Sequence, residues 1–328
     1  MCHCTLTLCR EKEGEEMESF ILALSVVVPL VVYMASGGLV RKLGIMKEAH
    51  FKAVNDMVFR LFIPLTLFFN IYRVDLKTAI QPKVAGYCLA GTVLVFALVW
   101  LVTDRFVEDL PTGSSIIQGS YRSNFVLFGN MIALTLCDAR GVALVSALSA
   151  IVVPVFNILA VILFEVRRGN APGLSGILLS ICRNPLVDAG VLGCVFNLLH
   201  LRLPVLLEEP LGVMADMATP LALVTLGGLL SFGSMVSHRK YLAAVTAVRL
   251  VFVPAVMLGA AVLLGFRENV LVAVLAVFAS PTAVASAPMA QAMGGNGALA
   301  AEIVAVTSVC CILTIFLFVF GLSWAGMF

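Results

Sequence analysis

The chain has 328 residues, of which 61% are hydrophobic and 12% are charged, and its mean hydropathy is +1.07. Soluble domains carry roughly 25% charged residues, so this composition excludes an ordinary soluble protein and indicates a polytopic protein of the lipid bilayer. The formal net charge of +2 is too small to indicate a nucleic-acid partner.

The chain begins with a short polar tail, residues 1–18. It contains Cys2, Cys4 and Cys9 together with His3, but their spacing fits no zinc signature, and we predict neither a metal nor another cofactor. The tail lacks the pattern of a secretory signal peptide. Met17 directly precedes the first apolar stretch, so we treat it as an alternative start of translation.

Ten stretches are apolar and long enough to cross a bilayer, which requires about 20 residues per helix. The connections between them are short, so we predict an all-α membrane protein without a large soluble domain. Lys and Arg near the span ends number ten inside and eight outside when the N-terminus is outside, which favours that orientation. The predicted spans are 19–40, 51–71, 84–103, 114–136, 141–164, 177–199, 210–232, 240–264, 269–293 and 298–322.

The two halves of the chain align on each other at an offset of 156 residues, at which Pro64–Leu67 matches Pro220–Leu223. Each half holds five spans, and an odd number places the second half in the opposite orientation. The sequence therefore predicts inverted repeats, an architecture typical of transporters with a site at the repeat interface. The predicted parts are the tail 1–18, repeat one 19–164, a connection 165–176, repeat two 177–322 and the C-terminal end 323–328.

The ninth span contains two prolines, Pro281 and Pro288, within an uncharged run. Proline breaks or kinks a helix, and freed backbone groups at membrane depth are tolerated where protein or a cavity receives them. At the repeat offset, Asn124 of span four matches Ser280, and both residue types are favoured helix N-caps. We therefore predict that two half-helix N-termini meet near the bilayer centre, an arrangement that suits a carboxylate. The alternative is that these residues only hydrogen-bond neighbouring helices and that the prolines kink them.

Several charged residues lie inside predicted spans, where a charge costs at least ~2.5–3.5 kcal/mol and so indicates a role. Asp56 and Arg60 lie four positions apart in span two and can form a local ion pair. Arg122 adjoins the expected helix start and is a candidate ligand for an anion. Glu302 is expected in the first turn of span ten, where an acidic residue is ordinary. Asp188 and Arg249 are expected to pair with each other, to relay a proton or to reach the membrane interface.

Five short motifs distributed along the chain carry a family resemblance. They are Arg122–Asn124 with Gly129, Asn184–Leu186 with Gly193 and Asn197, Ala218–Leu223 with Gly227, Arg249 with Pro254, and Pro281 with Gly294 and Gly295. With these motifs the sequence resembles the auxin efflux carrier family, the PIN-like and malate-permease group, from the first span to the last. The resemblance implies a ten-helix fold of two inverted five-helix repeats with crossing broken helices 4 and 9. It also implies alternating access of the elevator type, small organic anions as substrates, a homodimer and a plasma (cell inner) membrane location.

Two departures from the family pattern bear on this assignment. Met131 stands where the family usually has a proline, and Asn130 beside it is the expected point at which span four unwinds. The connection 165–176 is far shorter than the cytosolic loop of the plant hormone exporters, which favours the short permease-like branch. The expected substrate-binding residues are Arg122, Ser123, Asn124, Gly129, Asn130, Ser280, Pro281, Pro288 and Gln291, and the expected coupling or ion-pair residues are Asp188, Arg249 and Glu302.

The leading hypothesis is a secondary transporter of small organic carboxylates, in which either Asn124→Ala or Ser280→Ala abolishes transport. The alternatives are a sodium-coupled symporter of the bile-acid transporter type and a non-transporting receptor or channel. An intramembrane enzyme is not expected, because the four histidines form no His-x-x-x-His pair and no catalytic acidic motif is present.

Overall fold

The computed structural model describes residues 28–74, 81–167 and 184–327. Across these ranges the chain is helical, apart from loops and one antiparallel β-bridge. The polar tail, with its cysteines and histidine, lies outside the described residues. The helices are α1 (28–42), α2 (Glu48–Tyr72), α3 (Pro82–Phe106), α4 (Leu110–Tyr121), α5 (Phe125–Leu136), α6 (Ala139–Arg167), α7 (Pro185–Leu198), α8 (Val205–Leu229), α9 (Phe232–Ser237), α10 (Arg239–Leu263), α11 (Glu268–Ala279), α12 (Ser286–Ala292) and α13 (Gly297–Trp324).

Six of the described helices are long and apolar enough to cross a membrane, namely α2, α3, α6, α8, α10 and α13. The shortest of them have 25 residues and are about 37 Å long at 1.5 Å per residue, which exceeds the hydrocarbon core of roughly 30 Å. Three shorter helices, α5, α7 and α11, are also apolar. These features confirm an all-helical membrane protein.

Both spans that were expected to be interrupted are divided into two helices. In span four, α4 ends at Tyr121 and α5 begins at Phe125; in span nine, α11 ends at Ala279 and α12 begins at Ser286. The predicted helix start at Ser280 and Pro281 is wrong, because Ser280 instead terminates α11 with φ −65° and ψ 150°. A residue before proline avoids the helical region, so Pro281 acts by ending the preceding helix.

The expected unwinding at Asn130 is also wrong, since α5 is continuous through this position. The preceding Gly129 allows close packing, because a Cβ added there would lie 3.0 Å from the Cβ of Ala276 in α11. The interruption of span four lies at Arg122–Asn124, beside the helix start predicted at Asn124, and not at Asn130. Pro288 lies in the first turn of α12. Backbone N–H groups of a first turn make no hydrogen bond within the helix, so a proline there does not break it.

Four helices without a break pack together, and we call them the unbroken group: α1, α2, α7 and α8. Both α7 and α8 pack against α2. Glycines bring α1 and α8 into backbone contact, since a Cβ on Gly37 would overlap the carbonyl of Val224 and one on Gly227 would overlap that of Met34. Close approach through small residues is a common way for helices to associate in a bilayer.

The remaining helices, α3–α6 and α9–α13, form the broken-helix group. At its centre lies α11, which packs against α5, α6 and α10. Every residue from Leu271 to Ala279 is buried, which explains why this helix is apolar on all sides. Helix α13 packs against α4, α10 and α12. The two interruptions are therefore held inside one packed unit.

Candidate functional site

A cavity of about 140 Å³ lies between the two groups. The unbroken group contributes one wall, with residues of α2 between Ile63 and Asn70 and residues of α8 between Ala218 and Ala222. The broken-helix group contributes Arg122–Asn124, the first turn of α5, the middle of α6 and Ala283–Ala285. Most of the wall is apolar, and its polar side chains are those of Thr66, Asn70, Arg122, Ser123, Asn124, Asn157 and Thr219.

The two interrupted segments cross and pair through their backbones. The amide of Asn124 donates to the carbonyl of Pro281 at 2.8 Å, and the amide of Ala283 donates to the carbonyl of Arg122 at 3.1 Å. These bonds form the antiparallel bridge between Ser123 and Thr282. Backbone groups that leave a helix at membrane depth require partners, and here each segment supplies the partners of the other.

Arg249 fixes the ends of the helices that enter this crossover. It lies in a π-helical turn of α10 and is 1% exposed. Its guanidinium donates to the carbonyls of Ser280 at 2.7 and 2.9 Å, of Val277 at 3.2 Å and of Tyr121 at 3.2 Å. These carbonyls belong to the C-terminal ends of α11 and α4, where the last groups lack intrahelical partners and the helix dipole is negative.

Arg122 occupies the crossover itself and lines the cavity, and its side chain is buried at 4% exposure. It donates to the Oδ1 of Asn157 at 2.5 Å and to the sulfur of Met289 at 2.9 Å. Both partners are neutral, and among the described residues no carboxylate lies within ion-pair distance of Arg122. A buried charge without a counter-charge is unfavourable, so this arrangement favours an anion in the cavity.

Two further polar side chains beside Arg122 have unused hydrogen-bonding capacity. The Oγ of Ser123 and the Nδ2 of Asn124 are buried without a hydrogen-bond partner, although Ser123 is only 4% exposed and Asn124 9%. Asn124 is the N-cap residue of α5, but its side chain does not cap the helix. The first turn of α5, the positive end of its dipole, and these two unpaired polar groups therefore border the same cavity as Arg122.

Comparison with protein-family models matches residues 22–172 and 174–319 to the membrane transport protein family. The chain belongs to this family. The resemblance to the auxin efflux carrier family is thereby confirmed, and the protein is an integral membrane protein of a transporter family, not of an enzyme family. A comparison with curated proteins gives no significant match.

In this membrane transport protein, three of the expected substrate-binding residues line the cavity, namely Arg122, Ser123 and Asn124. The others lie outside its lining. Gly129 packs on α11, Ser280 donates its hydroxyl to the carbonyl of Ala276 in its own helix, and the Asn130 Oδ1 is buried without a partner. The remaining three have backbone or inter-helix roles: Pro281 accepts from Asn124, Pro288 begins α12, and Gln291 hydrogen-bonds α2.

The three expected coupling or ion-pair residues lie in different environments and do not form one cluster. Asp188 is exposed in the first turn of α7 and forms no ion pair with Arg249, so the pairing, one of the three alternatives for these residues, is excluded. Glu302 lies beyond the first turn of α13, because the helix begins at Gly297, and it is 1% exposed. Its carboxylate meets the Nδ1 of His238 at 2.7 Å and accepts a hydrogen bond from Ser234. Its expected role as an ordinary first-turn acid is therefore also wrong.

Sequence reasoning missed four polar side chains of the lining, Thr66, Asn70, Asn157 and Thr219. Each is an uncharged polar residue within an apolar span of this transport protein, and that pattern was the available signal. Asn157 is an example of a functional contact that this pattern indicates. It is 2% exposed in the middle of α6 and accepts the hydrogen bond from Arg122. Thr66 lies within the repeat-matched Pro64–Leu67 motif, which indicated a repeat and not a site.

Proposed function

We propose that the protein is a secondary transporter that carries small organic carboxylates through the membrane by alternating access. The single observation that carries this proposal is Arg122, a buried guanidinium that faces the cavity with neutral partners only. A carboxylate is the ligand that a planar guanidinium binds best, through two parallel hydrogen bonds. Bound there, it supplies the counter-charge that the described residues do not provide.

The groups around Arg122 support the same ligand. The N-terminus of α5 offers backbone N–H groups, and the amide Nδ2 of Asn124 and hydroxyl of Ser123 are unused hydrogen-bonding groups beside it. A helix N-terminus together with a cation stabilises an anion through both charge and hydrogen bonding. We therefore assign Arg122, Ser123 and Asn124 to the carboxylate and the apolar wall to the body of the substrate.

The size and charge of the cavity narrow the substrate class. Its volume of about 140 Å³ lies below the roughly 300–1,000 Å³ of sites for drug-sized ligands, which favours a small molecule. Among the residues that the structure describes, Arg122 is the one charged residue of its lining. A second carboxylate would find no second cation among the described lining residues, so we propose a substrate with one carboxylate and an apolar body.

The arrangement of the helices supports the proposed transport cycle. The cavity lies between the unbroken and broken-helix groups, so sliding of one group against the other would expose it to either side in turn. We further propose that the fold consists of ten spans in two inverted repeats, because the interruptions at Arg122–Asn124 and Ser280–Ala285 fall near matched positions of the repeat offset. A homodimer in the plasma membrane remains the expectation from the family resemblance.

For the coupling of transport we propose a proton carried by Glu302. This carboxylate is buried, and its partner His238 is 22% exposed at the side chain, which provides a path for a proton from solvent. Arg249 is fully engaged with carbonyls, and Asp188 is exposed, so neither fits this role. Uptake measured at two pH values, with and without sodium, separates this proposal from the sodium-coupled alternative.

The test of the main proposal uses purified protein reconstituted in proteoliposomes. Small monocarboxylates with an apolar body are expected to raise the melting temperature and to be taken up, while dicarboxylates of similar length bind about ten-fold more weakly because one carboxylate stays unpaired. Neutral amides of the same acids serve as matched controls and should neither stabilise the protein nor be taken up. Equal binding of acids and amides would contradict the proposal, and stabilisation without uptake would indicate a receptor.

A further inference from the structure

Gln291, an expected substrate-binding residue, instead links the two helix groups through hydrogen bonds. Its Oε1 accepts a hydrogen bond from the Nδ2 of Asn55 at 3.0 Å, and its Nε2 donates to the carbonyl of Lys52 at 3.0 Å. Gln291 belongs to α12 of the broken-helix group, and both partners belong to α2 of the unbroken group. One amide side chain thus uses both of its ends to hold the groups together.

Asn55, which donates to Gln291, is itself held in place by a second hydrogen bond. Asn55 is only 2% exposed, and its Oδ1 accepts from the hydroxyl of Thr225 in α8 at 3.2 Å. The hydrogen-bonded chain therefore runs from α12 through α2 to α8. Because Asn55 is buried, loss of the Gln291 amide would leave its Nδ2 without a partner inside the protein.

Leaving aside Glu165 and His200, the other hydrogen bonds between described side chains and their partners stay within one group. Asn197 of α7, for example, donates to the carbonyls of Ile71 and Val74 inside the unbroken group, at 2.8 and 2.6 Å. Arg122 and Arg249 likewise bind only within the broken-helix group. Among the described side chains other than these two, the hydrogen bonds between the groups are therefore concentrated at Gln291.

The contact lies beyond one end of the cavity. Along α12, Gln291 follows the lining residue Ala285 by six positions, or about 9 Å of helix. Along α2, Asn55 precedes the lining residue Ile63 by eight positions, or about 12 Å. Both helices thus lead away from the cavity lining to the same contact.

We propose that Gln291 is a latch, which holds the two groups together beyond one end of the cavity and releases them when the groups move. The proposal rests on alternating access between these groups, although its test requires no transported substrate. A neutral amide suits this role, because its hydrogen bonds are weak enough to break and re-form in each cycle, whereas a buried ion pair would be far harder to separate. Gln291 is thus a positioning residue and does not touch the substrate.

The test measures how fast a small thiol reagent modifies a cysteine placed in the cavity wall by Thr219→Cys, with the native cysteines replaced by serine or alanine in the full chain. Gln291→Met keeps the side-chain length and removes both hydrogen bonds. We expect this variant to be modified about ten-fold faster than its parent, the change that corresponds to the loss of two neutral hydrogen bonds. Gln291→Asn, which is one carbon too short to reach α2, should act in the same direction and serves where Gln291→Met does not fold.

Asn197→Leu is the matched control, because it removes amide-to-carbonyl bonds that stay inside one group. It should leave the modification rate unchanged. Parental rates in the Gln291 variants would overturn the latch, as would an equal rise in Asn197→Leu, which would indicate general loosening. Faster modification in a protein that takes up no carboxylate would keep the latch and reject the proposed substrate, so the two proposals fail separately.

Discussion

Arg122 and Arg249 offer a controlled comparison, because both are arginines buried within the broken-helix group and neither has a carboxylate partner among the described residues. Arg249 directs its donors to three carbonyls at the ends of α4 and α11. Arg122 has an amide oxygen and a thioether as partners and lines a cavity. The comparison teaches that burial of a charge does not by itself indicate a site; what matters is whether the protein already supplies the partners.

The largest expected effect is that of Arg249→Met. The substitution leaves the carbonyls of Tyr121, Val277 and Ser280 without their donor, and hydrogen bonds to a charged group contribute about 1.5–3 kcal/mol each. We therefore expect destabilisation by about 3 kcal/mol or more, measured as loss of monodisperse protein on size-exclusion chromatography after heating. Arg249→Lys should restore only part of the stability, because an ammonium lacks the fork that reaches several carbonyls. Parental stability of Arg249→Met would remove the distinction between the two arginines.

Arg122→Gln is expected to show the opposite pattern. The shorter amide no longer reaches Asn157, whose Oδ1 loses its donor, but the unpaired buried charge is gone as well. These effects oppose each other, so the free energy of unfolding should change by less than about 1 kcal/mol. Carboxylate uptake in proteoliposomes should fall roughly 10- to 100-fold, since a charge-assisted hydrogen bond to the substrate is lost. A strong loss of stability with unaltered uptake per folded molecule would make Arg122 a structural residue like Arg249.

The smallest expected effect distinguishes two residues that the repeat alignment treats as equivalent. Asn124→Ala removes an unpaired amide from the cavity wall and should weaken uptake about five-fold, the value of one neutral hydrogen bond. Ser280→Ala removes a hydroxyl that bonds only within α11, and uptake should stay within about two-fold of the parent. Equal losses in both variants would favour the symmetric site expected from the sequence over the asymmetric one described above.

The sequence indicated the two interruptions because their causes are local. A proline and the residue before it determine where α11 ends, and Asn124 occupies the N-cap position of α5 as its residue type predicts, although its side chain makes no capping hydrogen bond. The role of Arg249 could not be derived in this way, because its carbonyl partners come from two other helices and include Tyr121, 128 residues away. Likewise, Gln291 carries no local sign that its amide contacts α2, since this depends on how the two groups dock.

The backbone bridge between Arg122–Asn124 and Pro281–Ala283 has a consequence for how the protein is made. Synthesis delivers the first segment to the membrane long before the second exists, so the amide of Asn124 and the carbonyl of Arg122 have no permanent partners in the interval. Unpaired backbone groups are unfavourable in lipid, which leaves the N-terminal half an incomplete folding unit that needs water, a chaperone or the translocation machinery around it. Completion of the bridge is thus a late step of biogenesis, and it joins the two halves of the chain at the place where the substrate is expected to bind.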